Sequence, residues 1–185
     1  MRGSTQKSLP VTDRAVELLR ELRALPVGTL AAARALVMVK RDEGVDCPCC
    51  DQFAKIYRRK LNSSMARSLV HVYRFFAAND DWLHAPSYLT ERKVNATNDF
   101  GLLRHWGLVV HRGAMRDDGS DRDGFYKITD LGRQFVEGGV AIPKFIYLYS
   151  QQLLGLSDGV YSDRKLTTIR ESLGSKFNYR ELMGD

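Results

Sequence analysis

Two stretches decide the fold that this sequence predicts: LLRHWGLVV at residues 102–110 and FYKITDLGRQFV at residues 125–136. In the first, Gly107 ends a helix and a short apolar strand follows, since glycine readily adopts the left-handed conformation found just beyond helices. In the second, a strand leads into a helix with Asp130 in its first turn. The polar loop AMRDDGSDRD, residues 114–123, joins the two strands. These residues therefore predict a strand-loop-strand unit flanked by helices.

The segments before Gly107 extend this order. NSSMARSLVHVYRFFAAND, residues 62–80, predicts a helix capped by Ser63 or Ser64, with apolar side chains at helical spacing. Its apolar face consists of Met65, Leu69, Val72 and Phe76. WLHAPSYL then predicts a short strand, TERKV a short helix, and NATNDFGLLRHWG, residues 95–107, a further helix. A winged helix-turn-helix domain has the same order of elements: helix, strand, helix, helix, strand, loop, strand, helix.

The phrases quoted first resemble the corresponding parts of MarR-like winged-helix regulators, over about residues 63–137. The resemblance implies a mainly α fold with a small β-sheet (α+β), in which the helix before the wing enters the DNA major groove. The residues it places on that helix are Asn95, Thr97, Asn98 and Arg104. Asn and Arg can hydrogen-bond base edges, and Thr can contact a thymine methyl. For Asn95 or Thr97, helix capping is the alternative role.

The predicted wing departs from the MarR-like pattern in its charge. Residues 112–123 carry three arginines against four aspartates. The aspartates are Asp117, Asp118, Asp121 and Asp123. Carboxylates at a wing tip would repel the phosphates that dominate DNA affinity. Two interpretations follow: basic residues elsewhere hold the DNA, or the fold recognises a protein and the acidic wing imitates DNA.

A basic segment leads into the first helix of this predicted domain. Between Gln52 and Arg74 the sequence has six Lys or Arg and no Asp or Glu. The basic residues are Lys55, Arg58, Arg59, Lys60, Arg67 and Arg74. Arg67, His71 and Arg74 share one helix face, and no acidic residue stands four positions away to pair with them. We interpret the segment as a DNA-binding surface, with a solvated helix face as the alternative.

All three cysteines lie in DCPCC, residues 46–50. Cys47 and Cys50 have the C-P-x-C spacing of a zinc knuckle, whose turn directs two thiolates at one ion. Structural zinc takes four ligands, so a second chain would complete the site, as in the zinc hooks of certain DNA-repair ATPases, or a histidine of the same chain would. The histidines are His71, His84, His105 and His111. The other interpretations are a metal-free turn and a redox thiol pair, although the strand-then-helix context of thioredoxin-like sites is missing.

The stretch CPCCDQFAKIYRRKLN, residues 47–62, and the C-terminal tail are similar to segments of bacteriophage and prophage proteins that carry a winged helix. This resemblance implies a phage or mobile-element origin and zinc binding. The phage proteins commonly have glycine after the last cysteine, where this chain has Asp51.

The remaining segments predict appendages. TDRAVELLRELRAL, residues 12–25, and LAAARALVMVKRDEG, residues 30–44, predict two helices of an N-terminal arm, and Thr29 caps the second. The expected organisation is an arm at 1–45, a knuckle and basic strip at 46–62, a winged-helix domain at 63–137, and a C-terminal extension at 138–185. The extension is expected to hold a β-hairpin and a short helix.

The whole chain of 185 residues has a formal net charge of +6, which favours an anionic partner. Its longest apolar run, residues 30–39, is too short to span a bilayer, so we expect a cytoplasmic protein. Phosphate-loop, nucleophile-elbow and metalloprotease motifs are missing, so we expect no enzymatic activity. The sequence predicts a homodimeric DNA-binding transcriptional regulator of phage or mobile-element type. The alternative is a protein-interaction module, such as a phage-encoded inhibitor of a host nucleic-acid machine.

Overall fold

The computed structural model describes residues 28–94, 99–113, 123–155 and 165–184. The first predicted arm helix, the tip of the predicted wing, and Asn95, Thr97 and Asn98 lie outside these residues. The chain divides into two compact units, each built from two stretches of sequence. Among the described residues, the first unit comprises 28–58 and 147–155, and the second comprises 59–94, 99–113, 123–146 and 165–184. Within the described ranges, no helix has the length and apolar character needed to cross a lipid bilayer.

The described elements form a mixed α+β fold, as the sequence predicts. In chain order they are α1 (Leu30–Lys40), β1 (Val45–Asp46), β2 (Phe53–Ala54), β3 (Tyr57–Lys60), α2 (Ser63–Phe76), β4 (Leu83–His84), α3 (Ala85–Glu91), a 3₁₀ helix (Phe100–Trp106), β5 (Val109–His111), β6 (Phe125–Ile128), α4 (Asp130–Glu137), β7 (Ile142–Pro143), β8 (Phe145–Tyr149), β9 (Gln152–Gly155), β10 (Leu166–Thr167), α5 (Ile169–Leu173), a second 3₁₀ helix (Gly174–Lys176) and α6 (Tyr179–Met183).

The first unit contains α1 and two short hairpins. α1 begins at Thr29, whose Oγ1 accepts a hydrogen bond from the N–H of Ala32 at 3.2 Å, so the predicted cap is confirmed. β1 and β2 pair antiparallel on either side of the cysteine turn. The end of β8 pairs with β9 through a tight turn at Ser150 and Gln151, both of which have positive φ.

Helix α2 packs its apolar face into the core of the second unit. The predicted face is confirmed, since Met65, Leu69, Val72 and Phe76 are all buried. The cap differs from the prediction. Oδ1 of Asn62 accepts the N–H of Met65 at 2.9 Å, and Asn62 has the extended backbone of a capping residue. Ser63 is already the first residue of the helix, so neither Ser63 nor Ser64 is the cap.

Three strands of the second unit form one antiparallel sheet in the order β4-β6-β5. β5 and β6 pair from Val109 opposite Ile128 to His111 opposite Tyr126, which confirms the predicted strand pair. β4 pairs along the other edge of β6. Along the chain, α2 precedes β4, α3 and the first 3₁₀ helix lie between β4 and β5, and α4 follows β6.

Two predicted segments differ in the structure. WLHAPSYL, predicted as a strand, contains only the two-residue β4, because α3 begins at Ala85. Pro86 lies in the first turn of α3, where proline is tolerated because the N–H it lacks would have no partner inside the helix. The helix predicted for residues 95–107 is a 3₁₀ helix in its described part, and Gly107 ends it with a φ of 72°, as predicted.

Helix α4 lies against the start of β5. Oγ1 of Thr129 accepts the N–H of Gly132 at 2.9 Å and donates to the carbonyl of Gly107 at 2.6 Å. A Cβ atom on Gly132 would collide with the carbonyl oxygen of Leu108 and would lie 2.8 Å from Cγ1 of Ile128. Glycine is therefore required here by the close approach of the helix to the sheet.

The C-terminal stretch completes the second unit. β10 pairs antiparallel with β7, and α5 follows with a capping box formed by Thr168 and Glu171. Nε1 of Trp106 donates to the carbonyl of Pro143 at 2.7 Å, which ties the first 3₁₀ helix to β7. The hairpin predicted for the C-terminal extension corresponds to the paired ends of β8 and β9 in the first unit, and the predicted short helix corresponds to α5 in the second unit.

Candidate nucleic-acid interface

Strand β3 carries most of the predicted basic strip. All four of its residues are exposed. They include Arg58, Arg59 and Lys60, and Lys55 lies just before the strand, partly buried. Successive side chains of a strand point to opposite faces, so β3 presents cations on both faces. Ile56 and Leu61, which flank the strand, are buried.

The first 3₁₀ helix directs Arg104 outward. Its neighbours Leu103 and Trp106 are 0% and 3% exposed, whereas Arg104 is exposed to solvent. Arg104 is therefore accessible at the surface, and its predicted contact with DNA stays a prediction. The structure does not describe Asn95, Thr97 and Asn98, so their predicted contacts with bases stay predictions.

The basic face of α2 is partly covered by the C-terminal segment. Cζ of Arg67 lies 5.0 Å from the centre of the Phe177 ring, which is a cation–π distance. Nη1 of Arg74 donates to the carbonyl of Leu182 at 3.1 Å. Both arginines therefore contact the C-terminal segment, and part of each guanidinium group is engaged in this contact.

His71 lies between these two arginines on the same face. Burial lowers the pKa of His71, and the charges of Arg67, Arg74 and Arg92 lower it further. Nε of Arg67 and Nε2 of His71 are buried without a hydrogen-bond partner among the described residues. Among the described residues, no carboxylate forms an ion pair with Arg67, His71 or Arg74.

At the base of the predicted wing, Asp123 is held by the opposite strand. Its oxygens lie 2.9 Å from Nε2 of His111 and 2.8 Å from Nε of Arg112, and its side chain is only 7% exposed. Desolvation opposes ionisation of Asp123, but the N–H of Phe125 and the Arg112 guanidinium outweigh it and lower its pKa. Asp123 therefore fastens the two strands together. Asp117, Asp118 and Asp121 lie outside the described residues.

The cysteines occupy the turn between β1 and β2. The N–H of Cys47 donates to the carbonyl of Gln52 at 2.9 Å. The N–H groups of Cys50 and Asp51 both donate to the carbonyl of Cys47, at 3.3 and 2.9 Å. Asp51 has a φ of 55°, a conformation that glycine adopts with less strain. Cys49 and Cys50 are exposed, and Cys47 is partly buried.

The pKa of the Cys47 thiol is lowered by its neighbours in this turn. The N–H of Cys49, the thiol of Cys50 and the N–H of Cys50 lower the pKa of Cys47. Within the part of the chain that the structure describes, no group of three or more His, Cys, Asp or Glu is arranged to hold a metal ion.

Comparisons with protein-family models, curated proteins and solved structures find no match to this chain. The functional interpretation therefore depends on the topology and charges of the chain itself.

Sequence reasoning missed the contacts of Phe177 and Leu182 with α2. These residues lie more than a hundred positions from their partners, and no local pattern signals such a contact. The pairing of Asp123 did have a signal. His111 and Arg112 end one predicted strand, and Asp123 immediately precedes the next, so a hairpin brings them together.

Proposed function

We propose that the second unit is a winged helix-turn-helix domain that binds DNA. The observation that carries this proposal is the sheet order β4-β6-β5 together with the positions of the helices along the chain. β4 pairs with the distant β6, while β5 and β6 form a hairpin whose loop has the position of a wing. In this interpretation α3 and the first 3₁₀ helix form the helix-turn-helix.

The exposed charges of the second unit support an anionic partner. Arg59, Lys60 and Arg104 are exposed, and phosphate contacts by such residues supply the sequence-independent part of DNA affinity. Asp123 is paired with Arg112 at the wing base. We therefore expect the wing to repel DNA phosphates less strongly than its four aspartates predict.

In the proposed complex, Arg104 and the segment before it face the major groove, and Arg59 and Lys60 contact phosphates. A homodimeric regulator of this kind would bind a site with two-fold symmetry. Phage or mobile-element origin remains an expectation from the sequence resemblance.

Fluorescence anisotropy with a labelled duplex tests this interface. Arg104→Gln and the double variant Arg59→Gln/Lys60→Gln are each expected to weaken binding roughly tenfold, because a lost base or phosphate contact costs about 1–3 kcal/mol. Lys165→Gln is the matched control, since Lys165 is an exposed cation of the same unit outside the proposed interface. Its affinity should stay within about twofold of the unsubstituted protein. Equal losses from all three variants would contradict the proposed interface.

The alternative function, recognition of a protein through an acidic wing, now depends on three carboxylates instead of four, because Asp123 is paired. They are Asp117, Asp118 and Asp121. Under our proposal, replacing these three with Asn leaves DNA binding intact or strengthens it. A co-purifying host protein that the triple variant no longer retains, with no DNA binding by the unsubstituted chain, would favour the alternative.

A further inference from the structure

We propose that residues 174–184, which we call the strap, cover the basic face of α2 and inhibit DNA binding until a duplex displaces them. Displacement frees Arg67 and Arg74 to contact the phosphates of the duplex. This inference rests on the proposed function, because it assigns a regulation to the same DNA-binding domain. All the residues concerned belong to the second unit.

The strap lies at the surface of the second unit and contributes no buried residue. Its two short helices, Gly174–Lys176 and Tyr179–Met183, have none, whereas the preceding helix α5 has three. Gly174 joins α5 to the strap with a φ of 61° and a ψ of −152°, a conformation that is open essentially to glycine alone. The strap can therefore leave α2 while α5 stays in the core.

The strap offers the two arginines of α2 only neutral partners. Cζ of Arg67 lies 5.0 Å from the centre of the Phe177 ring, and Nη1 of Arg74 donates to the backbone carbonyl of Leu182 at 3.1 Å. An aromatic ring or a neutral carbonyl binds a guanidinium group less strongly than an ionised phosphate oxygen does. A phosphate group is therefore a better partner for both arginines than the strap is.

The strap also places a second cation beside Arg67. Nζ of Lys176 lies 5.6 Å from the centre of the same Phe177 ring. Nε of Arg67 is buried without a hydrogen-bond partner among the described residues, and so is Nε2 of His71. Like charges repel, and buried polar groups without partners cost free energy. Displacement of the strap by DNA would exchange a like charge for an opposite one at this face.

The covered face follows the exposed basic residues of the proposed interface along the chain. Arg59 and Lys60 belong to β3, and Arg67 lies in the second turn of α2, which follows β3 directly. Arg74 is two helical turns further, a distance of about 10 Å along the helix axis. The repeated phosphates of one nucleic-acid strand can contact cations at this spacing. The kind of partner that fits this face is therefore a DNA duplex.

Fluorescence anisotropy with the labelled duplex tests the strap in full-length variants. Phe177→Ala/Tyr179→Ala removes the ring beside Arg67 and the hydroxyl that donates to the carbonyl of Val136 at 2.8 Å. The net charge is unchanged. We expect roughly tenfold tighter binding and a salt slope that is steeper by about 0.9 for each phosphate gained. Leu166→Ala is the matched control, because Leu166 is a 59% exposed apolar residue of the same unit outside the strap. Its affinity should stay within about twofold of the unsubstituted protein.

A second pair of substitutions tests whether the gain comes from α2. Arg67→Gln/Arg74→Gln should abolish the gain when it is added to Phe177→Ala/Tyr179→Ala. In the chain with an intact strap, the same pair should cost less affinity, because both arginines are covered there. A gain in affinity that persists without the two arginines would overturn the proposal.

Hydrogen exchange on the unsubstituted protein gives a measurement that needs no substitution. The N–H groups of Leu182 and Gly184 donate to the carbonyls of Asn178 and Arg180 within the strap. Bound duplex should speed exchange in the strap, and unchanged or slower exchange would overturn the proposal. Equal affinities of the unsubstituted chain and Phe177→Ala/Tyr179→Ala would overturn it while DNA binding stands. Binding by neither chain would instead contradict the proposed function and the strap together.

Discussion

Gly132 determines how closely α4 can approach the sheet of the second unit. A Cβ atom at this position would collide with the backbone oxygen of Leu108, which cannot move aside as a flexible side chain can. We therefore expect Gly132→Ala to destabilise the protein by about 1–3 kcal/mol. Urea unfolding followed by circular dichroism measures the change.

Gly139 provides the control for this substitution. A Cβ atom there would lie 3.5 Å from the carbonyl oxygen of Gln134, an ordinary contact. Gly139→Ala should therefore leave stability unchanged or raise it slightly, since alanine restricts the unfolded chain. If both variants are equally stable, α4 does not approach the sheet as described.

Two histidines make stability depend on pH. Burial lowers the pKa of His71 and of His105 below the ordinary value of 6.5, and neighbouring arginines add to the effect. The unfolded chain therefore binds protons at a pH where the folded chain does not. The resulting stabilisation is fully present above pH 6.5 and is lost as the pH falls through the lowered pKa of the folded chain.

Urea unfolding between about pH 7.5 and pH 5 checks this dependence, since the histidine protons are taken up in that interval. The unsubstituted protein should lose stability steadily as the pH falls. A His71→Gln/His105→Gln variant should show a flatter profile over the same interval. Parallel profiles for the two proteins would show that these histidines are not held neutral by the fold.

At the scale of elements, the start of α2 depends on Asn62. Its Oδ1 accepts the N–H of Met65, which would otherwise lack a partner at the helix terminus. Asn62→Ala should destabilise the protein by about 1 kcal/mol, while Asn62→Asp keeps the acceptor and should be nearly neutral. Thermal unfolding distinguishes the two. A destabilised Ser63→Ala with an unaffected Asn62→Ala would instead identify Ser63 as the cap.

Elements defined by local signals could be predicted from the sequence. Thr29 caps α1, Gly107 ends the first 3₁₀ helix, and the two short strands joined by a polar loop form the predicted β5–β6 pair. The start of α3 was misplaced because Pro86 was taken as part of a strand, although proline is equally compatible with the first turn of a helix. Both assignments fit the local sequence, so the sequence alone did not distinguish them.

The candidate site was less predictable than the fold. The sequence identified the basic residues, and the structure places Arg59, Lys60 and Arg104 at the surface. Whether a basic side chain is accessible to a partner depends on its contacts with segments far along the chain. The contact of Arg67 with Phe177 is an example. Charge counts therefore located the basic region but not the residues within it that pack against the protein.

At the scale of the whole molecule, the proposed DNA interface lies on the second unit, and DNA affinity is its readout. A homodimer of the chain would carry two such domains, and its binding to a symmetric site would be coupled to dimer formation.

The most direct test of DNA binding is the salt dependence of duplex affinity for the unsubstituted protein. With Arg59, Lys60 and Arg104 on phosphates or bases, the logarithm of the binding constant should fall linearly with the logarithm of salt concentration, by about 0.9 for each phosphate neutralised. Loss of one phosphate contact should reduce the slope by about that amount. Affinity that stays constant between about 50 mM and about 200 mM salt, or no measurable binding at the lower concentration, would contradict the proposal.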